Sequence, residues 1–113
     1  MDIDKEIAEK VMGIKALLDT DNKCRKVELL EDGREALIYH PESLFNPSTN
    51  ISDAWLVVEK MQQERNLCIE LAHYSGIGYR CGFWGGESTK TIEEKSAPLA
   101  ICKAALAAID TNH

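Results

Sequence analysis

Tyr79, Arg80 and Trp84 stand close together on one stretch of strand-forming residues, and the polar loop Asn46-Pro47-Ser48-Thr49-Asn50 leads into an amphipathic segment. These are the residue types that recognise anions and planar groups. An aromatic face stacks on a base, a guanidinium pairs with a phosphate, and a helix entry offers unbonded backbone N–H groups. Tyr79, Arg80, Trp84, Ser48, Thr49 and Asn50 are therefore the candidate ligand-binding residues. Tryptophan is also a common core or interface anchor, so Trp55 and Trp84 carry a packing reading beside the ligand one.

Catalytic constellations are weak. Glu70, His73 and Arg80 lie near one another in sequence and would make an enzyme only if all three entered one cleft. No catalytic residue is assigned on that basis. Glu70 is expected to pair with Arg80 or Lys103, and the other carboxylates, such as Glu6, Glu9, Glu59 and Glu64, fall on polar helix faces. The histidines at 40, 73 and 113 have no spacing that brings two ligands to one metal, and no metal site is expected. Cys24, Cys68, Cys81 and Cys102 form no C-x-x-C pair and read as reduced, packed thiols. Gly82, Gly85 and Gly86 follow a strand without the lysine and serine of a phosphate loop, so a bulged strand end is expected there, and no cofactor.

The bulk properties narrow the partner. A chain of 113 residues with 44% apolar and 28% charged side chains reads as a single domain over 1–113. A net charge of −6 argues against coating duplex DNA, which needs a basic face to displace counterions. It does not exclude a small anionic ligand. No apolar run reaches the roughly 20 residues of a membrane helix, and the first residues are charged, so neither a membrane span nor export is expected. The expected compartment is the cytoplasm.

Several elements must position the candidate residues. Ile3, Ile7, Val11, Ile14 and Leu18 follow helical spacing, with Gly13 as the natural stop and Ile14 to Leu18 as a packed continuation. Arg25 to His40 predicts a hairpin turning at Asp32-Gly33, with Glu31 facing Arg34, Leu29 facing Ala36, and Val27 facing Ile38. Ile51, Ala54, Trp55, Val58 and Met61 predict a second helix to about Arg65, capped by Asn50 or Ser52. Leu67 to Tyr74 and Tyr79 to Trp84 predict a second hairpin about Ser75-Gly76-Ile77-Gly78. If Tyr74 pairs with Tyr79, both faces are apolar, and covering layers are expected on each side. In that register His73 faces away from Cys68 and Cys81. Gly85 to Lys95 reads as a loop, with a weak signal for an edge strand near Thr89 to Ile92. Leu99, Cys102, Leu106 and Ile109 predict an alanine-rich third helix with Pro98 in its first turn. The expected fold class is α+β, in the order α-β-β-α-β-β-α.

Three blocks carry a family resemblance: Ala8-Glu9-Lys10-Val11-Met12-Gly13; Asn46 through Ser52 with Ala54-Trp55 and Val57-Val58-Glu59-Lys60-Met61; and Ala97-Pro98-Leu99-Ala100-Ile101-Cys102-Lys103-Ala104-Ala105-Leu106. With these the chain resembles the phage ABA-sandwich domain family, small proteins of bacteriophages and prophages. The resemblance implies a three-layer α/β/α sandwich, with an antiparallel sheet of about four strands and three helices. It implies no activity and no catalytic residues, and fold does not give function.

Three functions stay open at this level. The first is a non-enzymatic binding module of a phage or prophage, taking a host protein or a small anionic metabolite such as a signalling nucleotide. The second is an assembly accessory acting as a homo-oligomer through an apolar sheet edge or helix face. The third is an enzyme using Glu70, His73 and Arg80.

Overall fold

The computed structural model describes residues 3–37, 43–85 and 91–111. The far end of the expected hairpin, residues 38–40, and the histidines at 40 and 113 fall outside them. The first helix, α1 (Ile3–Lys10), carries Asp4 and Glu6 at its positive end and buries Ile7 and Ala8. It closes where the amides of Met12 and Ile14 return to the carbonyls of Ile7 and Ala8, with Gly13 at φ +68°. The chain after Gly13 does not continue as a packed helical turn. It becomes strand β1 (Ala16–Leu18), whose Ala16 is buried while Leu17 and Leu18 face out.

A tight turn joins β1 to β2 (Cys24–Leu29). Asp19 builds it. One carboxylate oxygen accepts the amides of Asp21 (2.8 Å) and Lys23 (2.9 Å), and the other accepts Nε of Arg25 (2.6 Å). Arg25 Nη1 continues the network to Ser43 Oγ at 2.8 Å. The Asp19 side chain is fully enclosed. Its bond to Arg25 and the Lys23 amide hold the carboxyl below its ordinary value. A depressed folded pKa stabilises the protein above the unfolded value and loses that effect as pH falls through the folded one. Asp19→Asn is therefore expected to lower the urea midpoint at pH 7 and to flatten the loss of stability below about pH 4, as followed by circular dichroism.

β2 pairs over 24–26 with β1 and over 27–29 with β3 (Glu35–Leu37), both antiparallel. The β2–β3 register departs from expectation by one residue: Leu29 faces Glu35 and Val27 faces Leu37. Gly33 sits at φ +87° and donates its amide to Leu30 O, while Leu30 N bonds Arg34 O. The loop is thus three residues with a glycine in the left-handed region, not a two-residue turn on Asp32-Gly33.

The second helix, α2 (Ile51–Arg65), begins as its cap chemistry requires. Asn50 Oδ1 accepts the Asp53 amide at 3.0 Å, and Asp53 Oδ2 accepts the Asn46 amide at 3.0 Å. Asn66, at φ 56°, ends it. Ala54, Val57, Val58 and Met61 are the buried stripe, so Trp55, expected on that stripe, stands 48% exposed instead.

Strands β4 (Cys68–Tyr74), β5 (Gly78–Trp84) and β6 (Ile92–Glu94) form a second antiparallel sheet in that order. β6 replaces the expected loop and lies slightly beyond the Thr89 to Ile92 signal; residues 86–90 are outside the described ones. The last helix, α3 (Ala97–Thr111), packs against β5, β6, α1 and α2. Ala100, Ile101, Cys102, Ala104, Ala105 and Ala108 are fully buried on it, and the small alanines let its neighbours approach closely. The fold is α+β; the described residues form three helices and two small antiparallel sheets in the order α-β-β-β-α-β-β-β-α, where one sheet of about four strands was expected.

Candidate functional site: the open face of the second sheet

Tyr74 pairs with Gly78, not with Tyr79, and this one-residue shift decides which side chains share a face. Successive side chains on a strand point to opposite faces. Ile69, Leu71, Cys81 and Phe83 therefore go together to the helix side, where Cys81 and Phe83 are fully buried. Cys68, Glu70, Ala72, Tyr74, Arg80 and Trp84 go to the other side. There Cys68, Glu70, Tyr74, Arg80 and Trp84 are exposed, so no described layer covers that face. The expectation of a sheet covered on both faces is corrected accordingly.

The hairpin loop makes the register. Ile77 N bonds Tyr74 O, and Gly76 and Gly78 take φ of +81° and +112°. The loop is three residues long, where four were expected. Gly78 also lies hard against β6, since a Cβ there would stand 2.6 Å from Glu94 O.

A hollow of about 150 Å³ opens on the exposed face, lined by Glu70, Ala72, Tyr74, Arg80, Gly82, Trp84 and Thr91. Ala72 and Gly82 keep its floor low. Tyr74 and Trp84 rise at its two ends, six residue positions apart along the register, or about 20 Å at strand rise. Arg80 lies between them. Its guanidinium stands 5.5 Å from the centroid of the Tyr74 ring, within cation–π range. Its Nε donates to Glu93 Oε1 at 3.1 Å, and Nη2 donates to the same oxygen. The hydrogen bond and charge of Glu93 hold Arg80 protonated above its ordinary value. Glu70, which stood to pair with Arg80 or Lys103, is not their partner. Arg80 takes Glu93, and Lys103 takes Glu94 at 3.0 Å.

The sequence candidates divide. Arg80 and Trp84 share the open face, whereas Tyr79 turns to the helix side and meets the His73 ring at 4.7 Å between centroids. Ser48, Thr49 and Asn50 are not among the lining residues. Their loop is occupied with structure: the Ser48 amide bonds Asp4 Oδ1 at 2.8 Å, Asn50 caps α2, and the Thr49 and Asn50 amides return to Asn46 O. Glu70 and Arg80 face one way and His73 the other, so the three do not converge. His73 shares its face with Cys81, contrary to the expected register, and among the described residues no cluster of His, Cys, Asp and Glu could hold a metal ion. No described helix is long and apolar enough to cross a membrane. Sequence reasoning missed Tyr74, Glu93 and Thr91. An aromatic just before a glycine turn was the available signal for Tyr74.

No curated protein matches the sequence. Among solved structures, the chain is similar to a phage protein from Bacillus cereus ATCC 14579, with 27% identity over 99% of this chain and 88% of that one, and a TM-score of 0.66. The family profile described as the phage ABA sandwich domain matches residues 5–106, including the segment 19–40 that the three sequence blocks leave out. The chain therefore belongs to the phage ABA sandwich domain family.

Proposed function

We propose that this phage-family protein is a non-enzymatic protein-binding module that docks a host protein on the open face of β4–β5–β6. The observation that carries the reading is that 40% exposed Trp84 and 44% exposed Tyr74 flank Arg80 on the open sheet face. Tryptophan, tyrosine and arginine are the residues that most often dominate protein interfaces. A partner laid there would supply the missing layer of a three-layer sandwich. A small anion is the weaker ligand. The hollow is below the roughly 300 Å³ of ordinary ligand pockets, and its single arginine already faces Glu93 with Glu70 nearby. Four free thiols, three of them buried, support action in the reducing host cytoplasm.

The test is affinity capture from host lysate followed by titration of the captured protein. Trp84→Ala is expected to weaken its binding by about 2 kcal/mol, roughly thirtyfold, while Trp55→Ala on α2 leaves it unchanged. Equal binding by Trp84→Ala and the native chain would remove the reading. A thermal shift with nucleotides that Trp84→Ala abolishes would transfer the site to an anionic metabolite.

A further inference from the structure

The outer edge of β4 has no strand against it among the described residues, and it is long for an unguarded edge. Its residues, Cys68 to Tyr74, include no lysine or proline, and its pairing with β5 runs without a bulge. These are the usual devices that keep an edge from recruiting another chain. Half of the backbone N–H and C=O groups of an edge strand point outward, unbonded. We propose that the partner of this edge is a second copy of the chain, its β4 antiparallel to the first about a two-fold axis at Ala72.

The register follows from charge. A two-fold axis perpendicular to the sheet keeps outward side chains outward, so even-numbered residues meet even-numbered ones. Centring on Glu70 sets two carboxylates opposite each other. Centring on Leu71 leaves them diagonal neighbours at about 7–8 Å. Centring on Ala72 places each Glu70 opposite the other copy's Tyr74, on whose ring that copy's Arg80 already sits. The carboxylate that Arg80 leaves unused within its own chain becomes its partner across the axis. Leu71 then faces His73, which covers the half-buried Leu71 at the edge.

A second feature is on the helix that touches this strand. α2 packs against β4 as well as α3, and it carries Ile51, Trp55 and Leu56 at 50%, 48% and 44% exposure. The two-fold axis sets both α2 helices on the same side of the joined six-stranded sheet. The inference does not rest on the docking reading, since it uses the edge of the sheet and not its face.

Analytical ultracentrifugation of the full chain tests it. The native protein is expected at twice 12.6 kDa at micromolar concentration. Glu70→Arg sets a second guanidinium against the other copy's Arg80, and Arg80→Glu sets two carboxylates together. Each variant alone is expected to dimerise at least about tenfold more weakly, because like charges juxtaposed at an interface cost several kcal/mol. An equimolar mixture of the two restores the dimer, since every cross-axis pair is then opposite in sign. Ala72→Lys, which sets two ammonium groups at the axis, also gives monomer, with a thermal melt showing that it folds. A native chain that stays monomeric at millimolar concentration overturns the proposal. So does a dimer indifferent to all three substitutions, or a mixture no more associated than its components.

Discussion

Phe83→Ala is expected to lower the unfolding free energy by about 3–5 kcal/mol, read as a fall in the urea midpoint at unchanged slope. Phe83 is fully buried, opposite Ile69 on the inward face of the second sheet, beneath α3. Deleting its ring removes apolar area from the core and leaves a cavity. The backbone of β5 cannot readily close that cavity, because it is bonded to β4 along its length and to β6 over residues 79–81. Against a total stability of about 5–15 kcal/mol for a domain, the loss is a large fraction. The same change at Trp84, one residue on, is expected to cost under about 1 kcal/mol, because that side chain faces solvent. The contrast between neighbours reads out the alternation of the strand.

Gly78→Val should damage the sheet at its other end. The glycine holds φ +112°, which L side chains rarely adopt, and a Cβ would meet Glu94 O at 2.6 Å and Lys95 Cα at 3.1 Å. Both are backbone atoms, so neither can swing away. The dihedral alone costs about 1–3 kcal/mol, and the collision adds to it or drives β6 off β5. Hydrogen exchange distinguishes the two: loss of protection confined to 92–94 means that β6 has detached, whereas a uniform loss means that the fold is weakened. Arg80 would lose its Glu93 partner in the first case, since Glu93 faces Arg80 across the β5–β6 pairing.

The helices were largely legible in the sequence. Gly13, the Asn50–Asp53 cap and Arg65 fall where the spacing and cap chemistry put them, because helix ends are set by local residues. The hairpins were legible as hairpins but not in register. In both, positive-φ glycines, Gly33 in one and Gly76 with Gly78 in the other, make a three-residue loop. Counting two or four residues slips the pairing by one. A slip of one turns every side chain of one strand to the other face, so the expected doubly covered sheet became a sheet with one buried and one open face. Val57 and Trp55 fit the α2 periodicity beside Ala54, Val58 and Met61 equally well, and only packing on α3 and β4 decides that Val57 goes in and Trp55 stays out. The buried Asp19–Arg25–Ser43 network had no signal beyond the Asp-x-Asp-Asn turn, since Ser43 is distant in sequence.

The division of the candidate site was partly within reach. Tyr79 and Arg80 are neighbours on one strand and must face opposite ways, as must Glu70 and His73 on theirs. Parity alone therefore parts Tyr79 from Arg80 and Trp84, and His73 from Glu70. Parity does not say which set meets water. That needs the helices, which cover the Cys81 and Phe83 side.

The facing of the second sheet is tested most directly by the chain's own cysteines. Cys68 is exposed on the open face, while Cys81 lies fully buried on the other, its thiol pushed up to about 12 by burial. Cys24 and Cys102 are buried as well, and burial raises the Cys102 thiol further. Titration of the native protein with a thiol reagent is expected to find one reactive group per chain, lost in Cys68→Ser, and all four after denaturation. Cys68 protected together with Cys81, or both reacting at the same rate, would contradict the register and the open face built on it.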